Sequence, residues 1–570
     1  MAWHLLLATT VFLLSSVLFW KLAEKGKTTS PAGAPTFIRS LSCDTQMLNW
    51  TSFTDEGVLS ISTDIYTMRN VAQNDNFVCY YAELIPENEM DDKNNNITLG
   101  PEKRIEPLAP VEIPFVSFAV LCRDPSETVN HLKTFVNFPS LPFQERGNEL
   151  AAADPLRPSL AILALGQVTY NQFLWRLPRL QKLRRDLGFV DFQFFNQISG
   201  DPNENFLTSL KGVGDDQSSI WTNMRDRGCV TFLNDDQQLK SPFGSSSARN
   251  PEFDYHPRAY HLYNQQNLVQ PKGNGHCMMD GRLNVEDYFR VWRHFLVRHQ
   301  KKCHFSITYL SDVSGHEDET LGLADDVIVS FLNDLNSRGI LNSTAVVILS
   351  DGKSGEDLEN NQGVFMVRMP DSYKDSFSEK ISTLDWNSKR LISNLDVFET
   401  LRDISLPEKG SSNSLLSKKL SKERTCQDAG IDLNQCLCRT NVYLESTRRE
   451  VVKQAVEEVI KSEFSPLKCI RRVDFPDSPA YWNVSIPGVS MKSPYKSLVF
   501  IELTATVEAI PRQMVGRVPR EPLFIDFSAD IRFDSTSIEA VLVGIKAISR
   551  EFSSFDRICE ELSETETKDK

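Results

Sequence analysis

The chain has 570 residues, of which 41% are hydrophobic and 24% are charged. These proportions are typical of soluble globular protein and exclude a disordered or wholly membrane-embedded chain. Lys and Arg number 62 against 76 Asp and Glu, for a net charge of −14; this gives no general attraction to nucleic-acid phosphates, so we expect no nucleic-acid partner.

A hydrophobic segment opens the sequence. Residues 3–20 contain no Asp, Glu, Lys or Arg, which predicts a signal anchor or signal peptide over residues 1–22 and a polar linker over residues 23–37. The length of the run favours an uncleaved anchor. The lysines that follow, Lys21, Lys25 and Lys27, would by the positive-inside rule place the next residues in the cytoplasm. The rest of the sequence favours the opposite, a single-pass membrane protein with an extracytoplasmic body, or a secreted protein.

Cysteines and glycosylation sequons support that placement. Eleven cysteines are dispersed along the chain, as in proteins that form disulfides in an oxidising compartment. The odd count leaves at least one thiol unpaired or joins two chains. Asn-x-Ser/Thr sequons, which predict N-glycosylation, begin at Asn49, Asn96, Asn342 and Asn483. The disulfide candidates are Cys43, Cys79, Cys122, Cys426, Cys436, Cys438, Cys469 and Cys559.

A small disulfide-braced β unit is predicted over residues 38–125, where the runs VLSIST, FVCYYAEL and FVSFAVLC are typical of strands. Over residues 150–407 the pattern changes to strands that alternate with helices. LAILAL, FVDFQFF, CVTFL, HFSITYL, AVVIL and GVFMV are typical of strands, and residues 173–187 have the apolar spacing of a helix. This alternation predicts an α/β sandwich with a largely parallel central sheet.

Two further parts follow the predicted α/β core. Residues 408–438 are predicted to be an extended segment that contains the sequence RTCQDAGIDLNQCLC. Its cysteine spacing differs from that of zinc sites and favours disulfides. Residues 439–563 contain one amphipathic helix and the alternating runs SLVFIELTATVEAI and LFIDFSADIRF, which predict an antiparallel β subdomain.

Residues 345–355, AVVILSDGKSG, place an acidic residue at the end of a predicted buried strand. In α/β sheets ligands bind just beyond the carboxyl ends of the strands, so Asp351 is a candidate metal ligand. The alternative is that Asp351 only starts a turn with Gly352, which is a common use of Asp-Gly.

Several segments together resemble a known family: RPSLAILALGQVTYNQFLWRLPRL, RGCVTFLNDD, HFSITYLSDVSGHEDETLGLADD, VILSDGKSG, KRLISNLDVFETL and RTCQDAGID followed by CLC. Their order and spacing are similar to those of the domain-of-unknown-function 229 family, secreted or membrane-anchored proteins with an alkaline-phosphatase-like and sulfatase-like core. The resemblance implies an alkaline-phosphatase-like α/β/α sandwich. It also implies that active relatives hold divalent metals with Asp and His and attack phosphate or sulfate esters with a Ser, Thr or Cys.

The family motifs, carried over in turn, suggest that ligands have been lost. The metal-binding Asp after the first strand corresponds to Gly166 or Gln167, and the nucleophile corresponds to Asp201 or Pro202. Proline offers no nucleophile.

The later motifs are also altered. A gap-free match of the Ser-His-Asp motif places Gly315 under the His and His316 under the Asp, although a shift by one residue would restore His316 as a ligand. In Ser-Asp-His-Gly the Asp is retained as Asp351, and the His corresponds to Gly352. The last motif retains Asp396 and has Phe398 in place of its His. The remnant metal candidates are therefore Asp351, Asp396 and His316.

Two alternative functions follow from the resemblance and from the altered motifs. The first is a non-catalytic, extracellular or membrane-anchored binding or scaffold protein with a decayed metal site and no cofactor. The alternative is a phosphate or sulfate ester hydrolase that holds zinc, calcium or manganese with an altered ligand set. The expected partner is an unknown extracellular protein or glycan, with the membrane contacted through the N-terminal segment if it is uncleaved. The aromatic stretch EFDYHPRAYHLYNQQN, expected to be a loop, is the best place in the sequence to look for a partner.

Overall fold

A computed structural model gives the structure of the chain. It describes residues 41–44, 51–61, 78–86, 96–106, 110–123, 129–139, 150–214, 218–236, 242–243, 252–270, 276–311, 320–353, 358–407, 411–441, 446–467, 470–475, 482–487, 498–509, 523–534 and 539–547. The hydrophobic run at residues 3–20 lies outside these ranges. No helix in the part of the chain that is described is long and apolar enough to span a membrane.

The first part of the chain forms two small antiparallel sheets. Their strands are β1 (Thr51–Phe53), β2 (Val58–Ile61), β3 (Val78–Pro86), β4 (Ile97–Leu99), β5 (Lys103–Ile105), β6 (Val111–Glu112), β7 (Ser117–Arg123) and β8 (Val129–Val136). Strands β1, β2 and β6 form one sheet, and β3 with β4, β5, β7 and β8 forms the other. The strands expected at VLSIST, FVCYYAEL and FVSFAVLC are confirmed. A disulfide between Cys79 and Cys122 joins directly opposite positions of β3 and β7.

The central sheet has six strands: β9 (Ser159–Leu165), β10 (Val190–Asp191), β11 (Val230–Asp235), β12 (His304–Leu310), β13 (Thr344–Ser350) and β14 (Phe365–Arg368). Their order is β10-β14-β13-β9-β12-β11, in which β13, β9, β12 and β11 are parallel and β14 is antiparallel to β13. The predicted α/β class with a largely parallel sheet is confirmed. The run FVDFQFF forms only the two-residue strand β10. The apolar residues Phe192 and Phe195 of this run pack in the core, where both rings contact Phe365, so core burial and not strand pairing accounts for the pattern.

Helices cover both faces of this sheet. They are α1 (Tyr170–Arg176), α2 (Pro178–Asp186), α3 (Pro202–Lys211), α4 (Ile220–Asp226), α5 (Arg258–Asn267), α6 (Asn284–Arg298), α7 (Ala324–Ser337), α8 (Asp371–Ser376), α9 (Ser378–Asn387) and α10 (Asn394–Ser405). Single 3-10 turns occur at Leu321–Leu323, Ile340–Asn342, Leu358–Asn361 and Leu433–Gln435. The single helix expected over residues 173–187 is divided at Pro178, because proline cannot continue the backbone hydrogen bonding.

Successive side chains of β9 pack into two different hydrophobic cores, one on each face of the central sheet. Ala161 and Leu163 pack with α2, α6, α7 and part of the N-terminal sheets, while Leu160 and Ile162 pack with α3, α4, α9 and α10. Because successive side chains of a strand point to opposite faces, one buried strand serves two cores. The stretch EFDYHPRAYHLYNQQN is not the expected loop: much of it forms α5, whose Tyr260 and His261 are buried.

The C-terminal part forms a separate sheet with one helix. It contains β15 (Arg439–Asn441), α11 (Ser446–Phe464), β16 (Ile470–Asp474), β17 (Trp482–Pro487), β18 (Leu498–Ala509), β19 (Leu523–Asp534) and β20 (Glu539–Ala547). All of the pairings in this sheet are antiparallel. The apolar stripe of α11, at Val452, Val456, Ile460 and Phe464, packs against one face of the sheet.

Four disulfides confirm the use of cysteine that the sequence predicts. They are Cys43–Cys277, Cys79–Cys122, Cys229–Cys303 and Cys426–Cys436. The candidate Cys438 is exposed and has no disulfide partner among the described residues. Cys469 and Cys559 lie outside the described residues. The sequence reasoning did not include Cys229, Cys277 or Cys303 among its candidates.

Candidate functional site

The candidate site lies at the carboxyl edge of the central sheet. Strand β9 lies between the parallel strands β12 and β13, and its last residue, Leu165, is paired with their last residues, Leu310 and Ser350. The residues that follow are Gly166, Ser311 and Asp351. Parallel strands bring these three chain positions together, although they are distant in the sequence.

Asp351 is buried, with 1% of its surface exposed, and both carboxylate oxygens accept hydrogen bonds. The backbone N–H of Gln167 donates to Oδ1 at 2.6 Å, and the Tyr309 hydroxyl donates to Oδ2 at 3.0 Å. Gln167 has a φ of 56°, in the left-handed region that non-glycine residues seldom adopt. The backbone turn after β9 therefore aims an N–H at Asp351.

Burial raises the pKa of the Asp351 carboxyl to about 7, even though the hydrogen bonds from Gln167 and Tyr309 favour the charged form. Asp201 raises this pKa further through its negative charge. Burial also raises the pKa of the Tyr309 hydroxyl, and the negative charge of Asp351 acts in the same direction. Tyr309 is therefore protonated at neutral pH and serves as a hydrogen-bond donor.

Gly166, one of the two positions that the resemblance aligns with the metal-binding Asp, has no space for a side chain unless its neighbours shift. A Cβ atom at this position would lie 2.8 Å from Cβ of Ser311 and 2.9 Å from the Tyr309 hydroxyl. Real Cβ atoms do not approach other atoms so closely without a shift of the neighbours. The side chains of Ser311 and Tyr309 therefore fill the space that a ligand from β9 would need.

Gly352, the position that the resemblance aligns with a His, is equally constrained. Its φ is 76°, and a Cβ atom would lie 2.7 Å from the Asn360 carbonyl oxygen and 2.9 Å from Cγ of Gln197. A residue other than glycine would be strained here by both its backbone conformation and its neighbours. The local backbone thus suits the Asp-Gly turn that the sequence offered as the alternative for Asp351.

Beside Asp351 lies a buried network of neutral amides that the sequence reasoning missed. The Asn394 side-chain amide donates to Oε1 of Gln197 at 2.8 Å, to the Asn205 carbonyl at 3.0 Å and to the Ser209 hydroxyl at 3.0 Å. Gln197 in turn donates to the carbonyl of Ser350 at 3.1 Å. Asn394 is fully buried, yet every bond is made to an uncharged partner. The only sequence signal was the position of Asn394 two residues before the motif Asp396.

The residues at the expected nucleophile position have a structural role. Asp201 is the N-cap of α3, and its side chain accepts the Asn203 N–H at 2.9 Å. Pro202 is the first residue of the helix, where its missing N–H is harmless. Neither residue presents a hydroxyl or thiol at this position.

Asp396 and Phe398 each have a structural role. Asp396 forms a two-pronged ion pair with Arg424, at 2.8 and 3.0 Å, and accepts the backbone N–H of Ser393 at 2.8 Å. These contacts make it part of the capping box of α10. Phe398 is buried in the core. Asp351 and Asp396 share no hydrogen-bond partner among those described above, and His316 and Gly315 lie outside the described residues.

The described residues around Asp351 do not fit a zinc, calcium or manganese ion. Such ions require several carboxylate, imidazole or carbonyl ligands with lone pairs directed at one point. Both oxygens of Asp351 instead face hydrogen-bond donors, and glycine stands at two of the other ligand positions. Within the described ranges, no three His, Cys, Asp or Glu side chains form a group that could hold a metal.

A search among curated proteins gave no match. Among solved structures, the chain is 13% identical to a Vibrio parahaemolyticus protein in the alkaline phosphatase superfamily, over 73% of this chain and 87% of that one, with a TM-score of 0.34. It is 13% identical to the C-terminal periplasmic domain of EcEptC from Escherichia coli, over 49% and 92%, with a TM-score of 0.33. It is 12% identical to the lipoteichoic acid synthase LtaP from Listeria monocytogenes, over 49% and 80%, with a TM-score of 0.31.

A family model settles the relationship that the motifs suggested. The model "Protein of unknown function (DUF229)" matches residues 37–463, which include the N-terminal sheets, the whole α/β core and nearly all of α11. The sheet formed by β16 to β20 follows the matched region. The chain belongs to the domain-of-unknown-function 229 family.

Proposed function

We propose that this protein is a non-catalytic, extracytoplasmic binding or scaffold protein in which the ancestral metal site of the fold has decayed. The observation that carries the proposal is the packing at Gly166, where Ser311 and Tyr309 occupy the space of a ligand side chain. In this proposal the decay is more than the loss of ligand residues, because Ser311 and Tyr309 also leave no room for a side chain at Gly166.

The electrostatics of the site also support the proposal. Both oxygens of the buried Asp351 carboxyl already accept hydrogen bonds, from the Gln167 N–H at 2.6 Å and the Tyr309 hydroxyl at 3.0 Å. The amide network around Asn394 is neutral and fully bonded. In this proposal these hydrogen bonds stabilise the fold without a bound ion.

The proposed location follows from the covalent structure. Four disulfides are typical of an oxidising compartment. We infer that residues 1–22 direct the chain into the secretory pathway and either anchor it or are removed. The partner would then be an extracellular protein or glycan, bound by the surface of the folded body.

Metal content and hydrolysis test the proposal directly. The purified disulfide-bonded chain should contain no stoichiometric zinc, calcium or manganese by mass spectrometry of the elements. Its hydrolysis of aryl phosphate and aryl sulfate esters should equal that of an Asp351→Ala variant. Asp385→Ala, at a position on the remote helix α9, serves as the matched control for loss of a carboxylate.

The competing function is a metal-dependent hydrolase that recruits His316, Asp351 and Asp396. One metal per chain, lost in the Asp351→Ala variant but retained in Asp385→Ala, would establish that function and refute ours. Ester hydrolysis that disappears with Asp351 and returns with added metal would lead to the same conclusion.

A further inference from the structure

Asn342 is held on the surface by a short turn at the amino edge of the central sheet. It is the last residue of the 3-10 turn Ile340–Asn342, directly before β13. Asn342 is exposed, whereas Ile340 and Leu341 are buried, so the turn is anchored by its two apolar residues. Gly339, with a φ of 72°, reverses the chain into this turn.

The next two residues complete a sequon, Asn342-Ser343-Thr344. Thr344 is fully buried at the start of β13, and its hydroxyl is 3.2 Å from Nε2 of His304. The threonine thus has a structural role of its own, and its presence does not by itself indicate glycosylation. The exposure of Asn342 supports glycosylation independently of the threonine, because in the folded protein only the asparagine has to carry the glycan.

We propose that Asn342 is N-glycosylated from a polyprenyl-diphosphate-linked oligosaccharide. The bond between the sugar C1 and the diphosphate oxygen breaks, a bond from C1 to Nδ2 of Asn342 forms, and the amide nitrogen loses one proton. The polyprenyl diphosphate is the leaving group. Because Thr344 is buried in the folded chain, the transfer precedes the pairing of β13. The proposal rests on the extracytoplasmic placement in the proposed function.

The position of this glycan separates it from the candidate site. Strand β13 runs from Thr344 at the amino edge to Ser350 beside Asp351. Seven residues of strand span about 20 Å at about 3.3 Å per residue. A glycan on Asn342 therefore covers the amino edge of the sheet and leaves the carboxyl edge open to a partner.

Peptide mass spectrometry of the secreted full chain tests the assignment. After release of glycans by a peptide-N-glycosidase in heavy-oxygen water, position 342 should be converted to labelled aspartate in most molecules. An Asn342→Gln variant should lose one glycan step on a gel. Thr344→Ser keeps the sequon and should keep the glycan. The matched control is Asn336→Gln, an exposed asparagine on α7 without a hydroxyl residue two positions later, which should leave the gel pattern unchanged.

Two outcomes would overturn the proposal, and the Cys229–Cys303 disulfide distinguishes them. An unmodified Asn342 in chains that contain this disulfide refutes glycosylation at this site but leaves the extracytoplasmic placement intact. An unmodified Asn342 in chains that lack the disulfide, with all four sequons unmodified, refutes both the glycan and the placement on which it rests.

Discussion

At the scale of single residues, Asp351 is a buried hydrogen-bond acceptor at a position that the motif resemblance aligns with a metal ligand. Between about pH 4 and pH 7 the folded state retains a proton on Asp351 that an unfolded chain has released, because burial raises the pKa of this carboxyl to about 7. Its contribution to stability therefore decreases as the pH rises through this range. Above pH 7 the fold contains a buried charge.

Replacement of Asp351 by Asn should consequently stabilise the protein in neutral and weakly basic solution. The amide oxygen can still accept the Gln167 N–H, and the amide nitrogen can donate to the Tyr309 oxygen. The difference in pKa sets a ceiling of about 4 kcal/mol on the gain at pH 8, with a smaller gain at pH 5. Chemical denaturation at the two pH values measures it. A variant that is less stable at pH 8 and has lost a bound metal would contradict this expectation.

An Asp introduced at position 166 should not create a metal site. A Gly166→Asp variant must displace Ser311 and Tyr309, which costs about 2 kcal/mol or more. It would also place a second acid beside Asp351. We expect lower thermal stability and no gain in zinc affinity by calorimetry. Gly200→Asp is the control, because Gly200 is exposed and a Cβ there would meet only Gln435, at 3.4 Å. Equal stability of the two variants would show that the packing at Gly166 is less tight than described.

At the scale of elements, helices α5 and α6 and strand β12 carry buried histidines that are hydrogen-bonded or packed against aromatic rings. Burial lowers the pKa of His261, His294 and His304 to about 4 and that of His299 to about 3. The Nε2–H group of His294 donates a hydrogen bond to the Asp55 carbonyl oxygen at 3.3 Å, and the ring contacts that of Phe53. Burial thus keeps this imidazole neutral at neutral pH where the N-terminal sheets contact α6.

Acid should weaken these elements below the pKa of free histidine. Because the folded pKa values are lowered, the unfolded chain binds more protons between about pH 4 and pH 6.5, and stability is lost as the pH falls through this window. Each such histidine costs about 2 kcal/mol at pH 5. Denaturation at pH 7 and pH 5 should show a smaller pH dependence for His294→Gln than for the unmodified chain. His276→Gln, in the loop before α6, is the control, and equal pH dependence in all three chains would exclude this role for His294.

At the scale of the whole molecule, disulfides and shared cores join parts that the sequence presents separately. Cys43–Cys277 ties the start of the described chain to the segment before α6, and Cys229–Cys303 joins the residues that precede β11 and β12. Residues of β3, β4, β7 and β8 belong to the same hydrophobic core as α6 and α7. The N-terminal β unit therefore packs on one face of the α/β sandwich. The sheet of β16 to β20 has its own core with α11.

The sequence alone determined the class of the fold, because hydrophobic periodicity records which faces of each element are buried. The sequence is sufficient to place the strands at LAILAL, HFSITYL and AVVIL and the acidic residue after β13. The motif pattern also gave the family. An apolar pattern reports that a segment is buried but not which strand it pairs with. It could therefore not show that FVDFQFF pairs over only two residues, or that β14 runs antiparallel to β13.

Only the tertiary structure decided what surrounds Asp351. Residues 167 and 309 are far from residue 351 in the sequence, and no local pattern indicates that their N–H and O–H groups meet its carboxylate. The same holds for the Asn394 network and for the pairing of Asp396 with Arg424. The sequence suggested which ligand positions are altered, because each residue can be compared directly with the motif that it resembles. Whether the space they left is open or filled depends on packing between distant segments, and at Gly166 side chains from β12 and the residue after it fill that space.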